Sequence, residues 1–124
     1  MITALLVMVH GTPRPVANTD MFRVVEVVKK RAVYDIVEVG FMECNEPSIP
    51  AAIKTCVDAG ATVVTAVPYF LHTGTHVADD LPGLLESAQA EYPDVTFLMG
   101  RYIGTSSKLT NILKNRISAA TDSK

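Results

Sequence analysis

Residues 3–9, TALLVMV, form an uninterrupted apolar run that stops at His10-Gly11-Thr12-Pro13-Arg14-Pro15. A strand with one face in water would alternate. A run apolar throughout belongs to a strand covered on both sides. The prolines and glycine behind it exclude a regular element there. The same events recur along the chain. Residues 36–42 (IVEVGFM), 61–67 (ATVVTAV) and 95–99 (VTFLM) are further apolar runs, each followed by a break and then by helical spacing.

The helical segments carry their own punctuation. Asn18 or Thr19 can cap a helix to about residue 32, with Phe22, Val25, Val28 and Ala32 as its buried stripe. Ser48 caps a second, in which Ile49, Ala52, Ile53, Cys56 and Val57 recur at helical spacing until Gly60 stops it. Asp80 precedes a third, with Pro82 in its first turn and Leu84, Leu85 and Ala88 facing inward. Ser106 or Ser107 caps a fourth, along which Leu109, Ile112, Leu113, Arg116 and Ile117 are placed, and the tail from Ala120 is expected to fray. The order βαβαβαβα predicts an α/β fold with a parallel four-stranded sheet. Right-handed crossovers then put helices on both faces. The expected strand order is 2-1-3-4, flavodoxin-like, in a single domain over residues 1–124, with the binding crevice between strands 1 and 3.

Composition narrows the function classes. At 48% hydrophobic and 19% charged, the chain is an ordinary globular protein. A net charge of -2 gives no electrostatic ground for a nucleic-acid or membrane partner. Cys44 and Cys56 make no disulfide framework. The apolar start carries no basic leader and no small-residue cleavage site, so it is read as a buried strand and the protein as cytoplasmic.

The chemistry gathers where strands end. His10, Glu43 and His76 each follow a strand, in loops that an open parallel sheet sends out along one edge. Two imidazoles and a carboxylate there can hold a divalent metal or move protons. Their even spacing of 33 residues is the length of a βα unit and signals no repeat. A histidine after a buried strand can also serve structure alone, but Gly11 and Pro13 beside His10 favour a binding loop. In the long loop of residues 69–78, His72 and His76 are spaced H-x-x-x-H, yet Gly74 argues against the helix that a zinc site of this kind needs. His76 is the better candidate because it adjoins the next helix, and His72 is a secondary one. Glu46 beside Pro47 looks like a helix entry, which leaves Glu43 as the site carboxylate. Arg14 and Arg101 flank the same edge and could pair with a substrate carboxylate. Tyr69, Phe70 and Tyr102 offer either a flat aromatic wall or core packing. Neither G-x-G-x-x-G nor G-x-x-x-x-G-K-[ST] occurs, and no serine sits in G-x-S-x-G.

At these residues the chain resembles the class II tetrapyrrole chelatases, in particular the short sirohydrochlorin cobaltochelatase type (CbiX small form). Nearly the whole chain is covered. The resemblance rests on three segments in order: HGTPRPVAN, where the family has an H-G-S-R-like sequence; FMECNEPSIPAAI, similar to F-M-E-x-x-x-P-S-[IL]; and VPYFLHTGTHVADDLP, similar to P-[YF]-F-L-x-x-G-x-H-V-x-x-D-[IL]-P. It implies a lyase that inserts a divalent metal into sirohydrochlorin in cobalamin- or siroheme-type tetrapyrrole biosynthesis. Co2+ is the first choice, and Ni2+ or Fe2+ are alternatives. The metal is a substrate, and no permanently bound cofactor is implied. The family's two histidines fall on His10 and His76, and its glutamate on Glu43. These three are the catalytic and metal-binding set, with Arg14, Tyr69 and Phe70 toward the tetrapyrrole. Longer relatives place the site between two such domains, so a homodimer is implied. Thr12 stands for the usual Ser. Thr75 stands where Arg or Lys often precedes the last His, so that position offers no carboxylate contact. His72 is an addition at a usually apolar position. Two other readings compete: a carrier of metal or tetrapyrrole using the same cleft, and a flavodoxin-like interaction module with incidental histidines.

Overall fold

The computed structural model describes residues 1–122, except for the side chains of Pro15, His76 and Asp122. Strands β1 (Thr3–Val9), β2 (Ile36–Phe41), β3 (Val63–Pro68) and β4 (Thr96–Met99) alternate with helices α1 (Thr19–Lys30), α2 (Ile49–Asp58), α3 (Leu81–Glu91) and α4 (Lys108–Asp122). The sheet order is β2-β1-β3-β4, and every pairing is parallel. This is the expected flavodoxin-like order. β1 is central and apolar on both faces because each face is covered.

The two faces carry separate cores. Leu6, Met8, Val64 and Ala66 meet Ile49 and Ile53 of α2 and Leu81 and Leu85 of α3. Leu5, Val7, Val37 and Val39 meet Met21 and Val25 of α1. Each such side chain, fully buried, contributes about 1.5–3 kcal/mol. Gly40 lets α2 lie close on β2, since a Cβ there would sit 2.8 Å from the Ile49 Cα. Ser48 caps α2 as expected, its hydroxyl accepting from the Ala51 N–H at 3.2 Å.

The expectations for α1 and for the tail need correction. In α1 the buried residues are Met21 and Val25. Phe22 is 43% exposed and touches Phe41 edge-on, and Ala32 lies beyond the helix at φ 53°. The helix starts after a 3₁₀ turn, Pro15–Asn18, and the Asn18 side chain makes no cap bond. In α3, Leu84, Leu85 and Ala88 face the core as expected, Leu84 half-buried against it, and Leu81 joins them. The chain from Ala120 does not fray at once, because α4 continues to Asp122; Ser123 and Lys124 lie outside the described residues.

α4 is the anomaly of the fold. None of its described residues is buried, and only Leu109 is half-buried. Leu113 and Ile117 are 61% and 58% exposed. Meanwhile the half of the sheet on the α1 side that a fourth helix would cover is open. Val63, Thr65 and Val67 of β3 are half-buried, and Leu98, paired with Thr65, is 50% exposed. Beside them lies an apolar groove of about 180 Å³ lined by Val7, Val24, Val28, Val67, Tyr69 and Ile103 among others. Among the described residues no helix is long and apolar enough to cross a membrane.

The two cysteines are free and differ in setting. Burial pushes the Cys56 thiol up from 9.0 to about 11, with the Glu38 carboxylate adding to the shift. The folded state therefore favours the protonated thiol. That contribution is complete below the pH at which an unfolded thiol ionises and is lost as pH rises toward about 11. At pH 8 a disulfide reagent is expected to label Cys44 rapidly and Cys56 only after denaturant is added. Two rapid equivalents at pH 8 would contradict this burial.

Candidate functional site

The carboxyl ends of β1, β2 and β3 finish level: Val9 pairs with Phe41, and Met8 with Pro68. Backbone bonds continue the register past the strands. Met42 N–H donates to the Val9 carbonyl at 2.8 Å, Glu43 N–H to His10 at 3.0 Å, and Tyr69 N–H to Met8 at 2.8 Å. The three loops carrying the expected site residues thus leave the sheet side by side.

Two of those residues meet. His10 Nε2 lies 2.6 Å from Glu43 Oε1, with the side chains 47% and 59% exposed. At this distance the two groups are hydrogen-bonded. A pair so open to water contributes about 0–1 kcal/mol to stability, too little to explain the local backbone built around it. The His10 ring also lies against Phe70, with centroids 6.3 Å apart and planes 42° apart. Phe70 in turn packs on the core under α2 and α3.

The backbone that brings the pair together is specialised. Asn45 N–H donates to the Glu43 carbonyl at 2.8 Å, closing a three-residue turn over Cys44 at φ 68°. Gly11 sits at φ 97°, and a Cβ on it would fall on the Glu43 carbonyl oxygen. The β1–α1 loop can lie this close to the Glu43 turn only with glycine at that place. Asn45 Oδ1 accepts from Thr12 N–H at 2.7 Å and from the Asn18 amide at 3.3 Å. The sequence reading passed over Asn45, which falls on an unspecified position between Glu43 and Pro47. An asparagine two residues after a strand-end glutamate was its one signal, and it reads as ordinary turn chemistry.

The other candidates are placed as follows. His76 opens a π-helical turn, His76–Asp80, a local geometry enriched at functional sites; its side chain lies outside what the structure describes. His72 is exposed on the preceding loop. Arg14 is exposed, and its N–H donates to the Thr12 hydroxyl at 3.1 Å. Tyr69 packs against the α1-side core and Phe70 against the opposite one, so the two straddle the end of β3. Tyr102 packs on the core and Arg101 is exposed. Glu46 is exposed and precedes α2 without entering its first turn. Among the described residues, no three His, Cys, Asp or Glu side chains are grouped to hold a metal, so the described donors are the His10–Glu43 pair.

A parallel sheet of order β2-β1-β3-β4, with a histidine–carboxylate pair at the carboxyl ends of its adjacent strands β1 and β2, defines an open α/β protein of the flavodoxin-like class. Within that class the chain belongs to the CbiX family, whose profile matches residues 4–120. It is 46% identical over 82 residues to the sirohydrochlorin cobaltochelatase of Methanococcus maripaludis, an overlap of 66% of this chain and 57% of that protein. The sirohydrochlorin chelatase SirB from Bacillus subtilis subspecies spizizenii, solved in complex with cobalt, superposes with a TM-score of 0.89 at 28% identity. That match covers 96% of this chain and 51% of SirB. A putative cobalamin biosynthesis CbiX protein from Marinobacter aquaeolei shares the fold, with a TM-score of 0.84 at 21% identity over 98% of this chain and 99% of that one. The chain thus spans little more than half the length of the first two.

Proposed function

We propose that this protein inserts a divalent metal into sirohydrochlorin, with His10, Glu43 and His76 as the metal-handling and proton-transfer groups. The observation that carries the proposal is the 2.6 Å pair of His10 Nε2 and Glu43 Oε1 at the open edge of the sheet. Imidazole nitrogen with carboxylate oxygen suits Co2+, Ni2+ and Fe2+ alike, and Co2+ is taken first because of the cobaltochelatase relative.

The chemistry requires two exchanges. A divalent metal delivered here would be held by the His10 imidazole and the Glu43 carboxylate, with the proton they share released to solvent. When the metal passes to the macrocycle, two pyrrole N–H protons must leave, one pair for each M2+ gained. The vacated imidazole, neutral once its metal has gone, accepts one of them, and the carboxylate beside it relays protons to solvent. The exposure of both groups favours that exchange with water. Phe70 neighbours the His10 ring, and with Tyr69 it offers apolar surface to a macrocycle. Arg14 provides charge for the carboxylates at the macrocycle's rim.

The active form in this reading is a homodimer. Its support is the unpartnered apolar stripe of α4 together with the open face of β3 and β4, two surfaces that a second copy can cover reciprocally.

The test is anaerobic insertion, followed by the absorbance of sirohydrochlorin with Co2+, Ni2+ and Fe2+ in turn. Acceleration over the spontaneous rate with at least one metal is expected. Binding of metal or macrocycle without faster product formation would make the protein a carrier. No binding and no acceleration would end the tetrapyrrole reading.

A further inference from the structure

We infer that Asn45 is a positioning residue: its side-chain oxygen ties the loop that carries His10 to the turn that carries Glu43 and so sets the separation of the two groups. The inference rests on the reading of His10 and Glu43 as metal-handling groups.

Thr12 N–H can only donate, so Asn45 must turn its oxygen, not its NH2, toward the β1–α1 loop. Asn18 then has to present its amide NH2 to the same oxygen, as it does. Asn18 is buried and makes no helix-cap bond, so the contact with Asn45 gives its amide NH2 a partner. One atom of Asn45 therefore gathers two donors from positions 12 and 18, on the far side of His10 and Gly11 from β1.

Backbone geometry makes the arrangement specific. The left-handed φ of 68° at Cys44 is uncommon for a side-chain-bearing residue and is kept where surroundings impose it. It reverses the chain between Glu43 and Asn45, so the Glu43 side chain and the Asn45 side chain both address the β1–α1 loop. Gly11 removes the Cβ that would hold the loop away. Strand register alone sets the His10 carbonyl against the Glu43 amide. It does not fix the loop after His10, whose course determines where the imidazole can settle. The Asn45 oxygen supplies that second anchor.

The experiment is a Co2+ titration of the full chain, read by the d–d absorption of bound cobalt, with amide exchange at Thr12 recorded on each protein. Outer-shell anchors of this kind typically change metal affinity about 10- to 100-fold. Asn45→Ala is expected to weaken Co2+ binding about 10-fold or more. Glu43→Gln should weaken it too, and the double variant should be little worse than the poorer single, because Asn45 acts through the pair. Asn45→Asp keeps the accepting oxygen, so it should restore both affinity and Thr12 protection. Asn45→Gln retains the amide but moves its oxygen by one methylene, and it should lose affinity as Ala does. It serves where the Ala variant does not fold. Full Co2+ affinity in Asn45→Ala or Asn45→Gln, with Thr12 exchanging rapidly, overturns the positioning role while His10→Ala still abolishes binding. Undiminished Co2+ binding in His10→Ala overturns the metal-site reading and the inference with it.

Discussion

His10→Ala is expected to slow metal insertion into sirohydrochlorin by about 100-fold or more, the scale of removing a positioned acid–base group. The thermal midpoint should move by no more than about 3 °C, because an ion pair this exposed contributes under about 1 kcal/mol. The contrast is the useful part. The His10 carbonyl, which the substitution leaves in place, makes the bond that continues the β1–β2 register, while the imidazole makes the contact with Glu43. Loss of activity with the fold intact would therefore belong to the side chain. Glu43→Gln should keep a hydrogen bond to His10 but lose the charged oxygen. Its deficit should show first as a higher metal concentration for half-maximal rate, and only secondarily in the rate at saturation. A stopped-time absorbance assay at several metal concentrations separates the two. An unchanged insertion rate in His10→Ala would remove the pair from the reaction path.

How far the sequence could reach is clearest at particular residues. β1 and β2 were legible because parallel strands covered on both faces must be apolar throughout, while β3 and β4 are apolar runs too although one face of each is open, and Gly and Pro mark where the strands end. The strand order followed from connection rules that hardly depend on side chains. The meeting of His10 with Glu43 was legible because both residues close adjacent strands. In the α1 stripe Val25 and Val28 face the core as expected, but its first member is Met21 and not Phe22. A periodicity argument assumes that the helix begins at its capping residue, and here a 3₁₀ turn comes first while Asn18 bonds to a residue 27 positions away. Asn45 was missed for the same cause: its role depends on which loop lies opposite, which no local pattern encodes. The open state of α4 could not be read at all, since Leu109, Ile112, Leu113 and Ile117 have the same spacing whether they face their own sheet or another.

Leu113→Asp combined with Ile117→Asp is expected to turn the proposed dimer into a monomer on size-exclusion chromatography with light scattering, and to remove insertion activity with it. In a two-fold interface each substitution counts twice. With about 1.5 kcal/mol or more for each apolar side chain withdrawn, the loss is about 6 kcal/mol. That corresponds to about four orders of magnitude in Kd, enough to dissociate a nanomolar dimer at micromolar protein. Leu98→Asp, on the open face of β4, should act in the same direction if that face receives the helix. A helix folded back on its own sheet would behave differently. It would have to leave its present anchorage, where Gly104 N–H donates to the Phe70 carbonyl at 3.0 Å and Leu109 and Ile112 border Tyr69, Phe70 and Leu71. The aspartates would then lower the melting temperature equally at all protein concentrations. A dimer joined through α4 instead has a melting temperature that rises with concentration in the parent protein and loses that dependence in the variant. The anchorage also explains why activity should follow assembly. Phe70 meets both the 3₁₀ turn that aims α4 and the ring of His10, so the surface that would bind a second copy begins beside the residues proposed to deliver the metal.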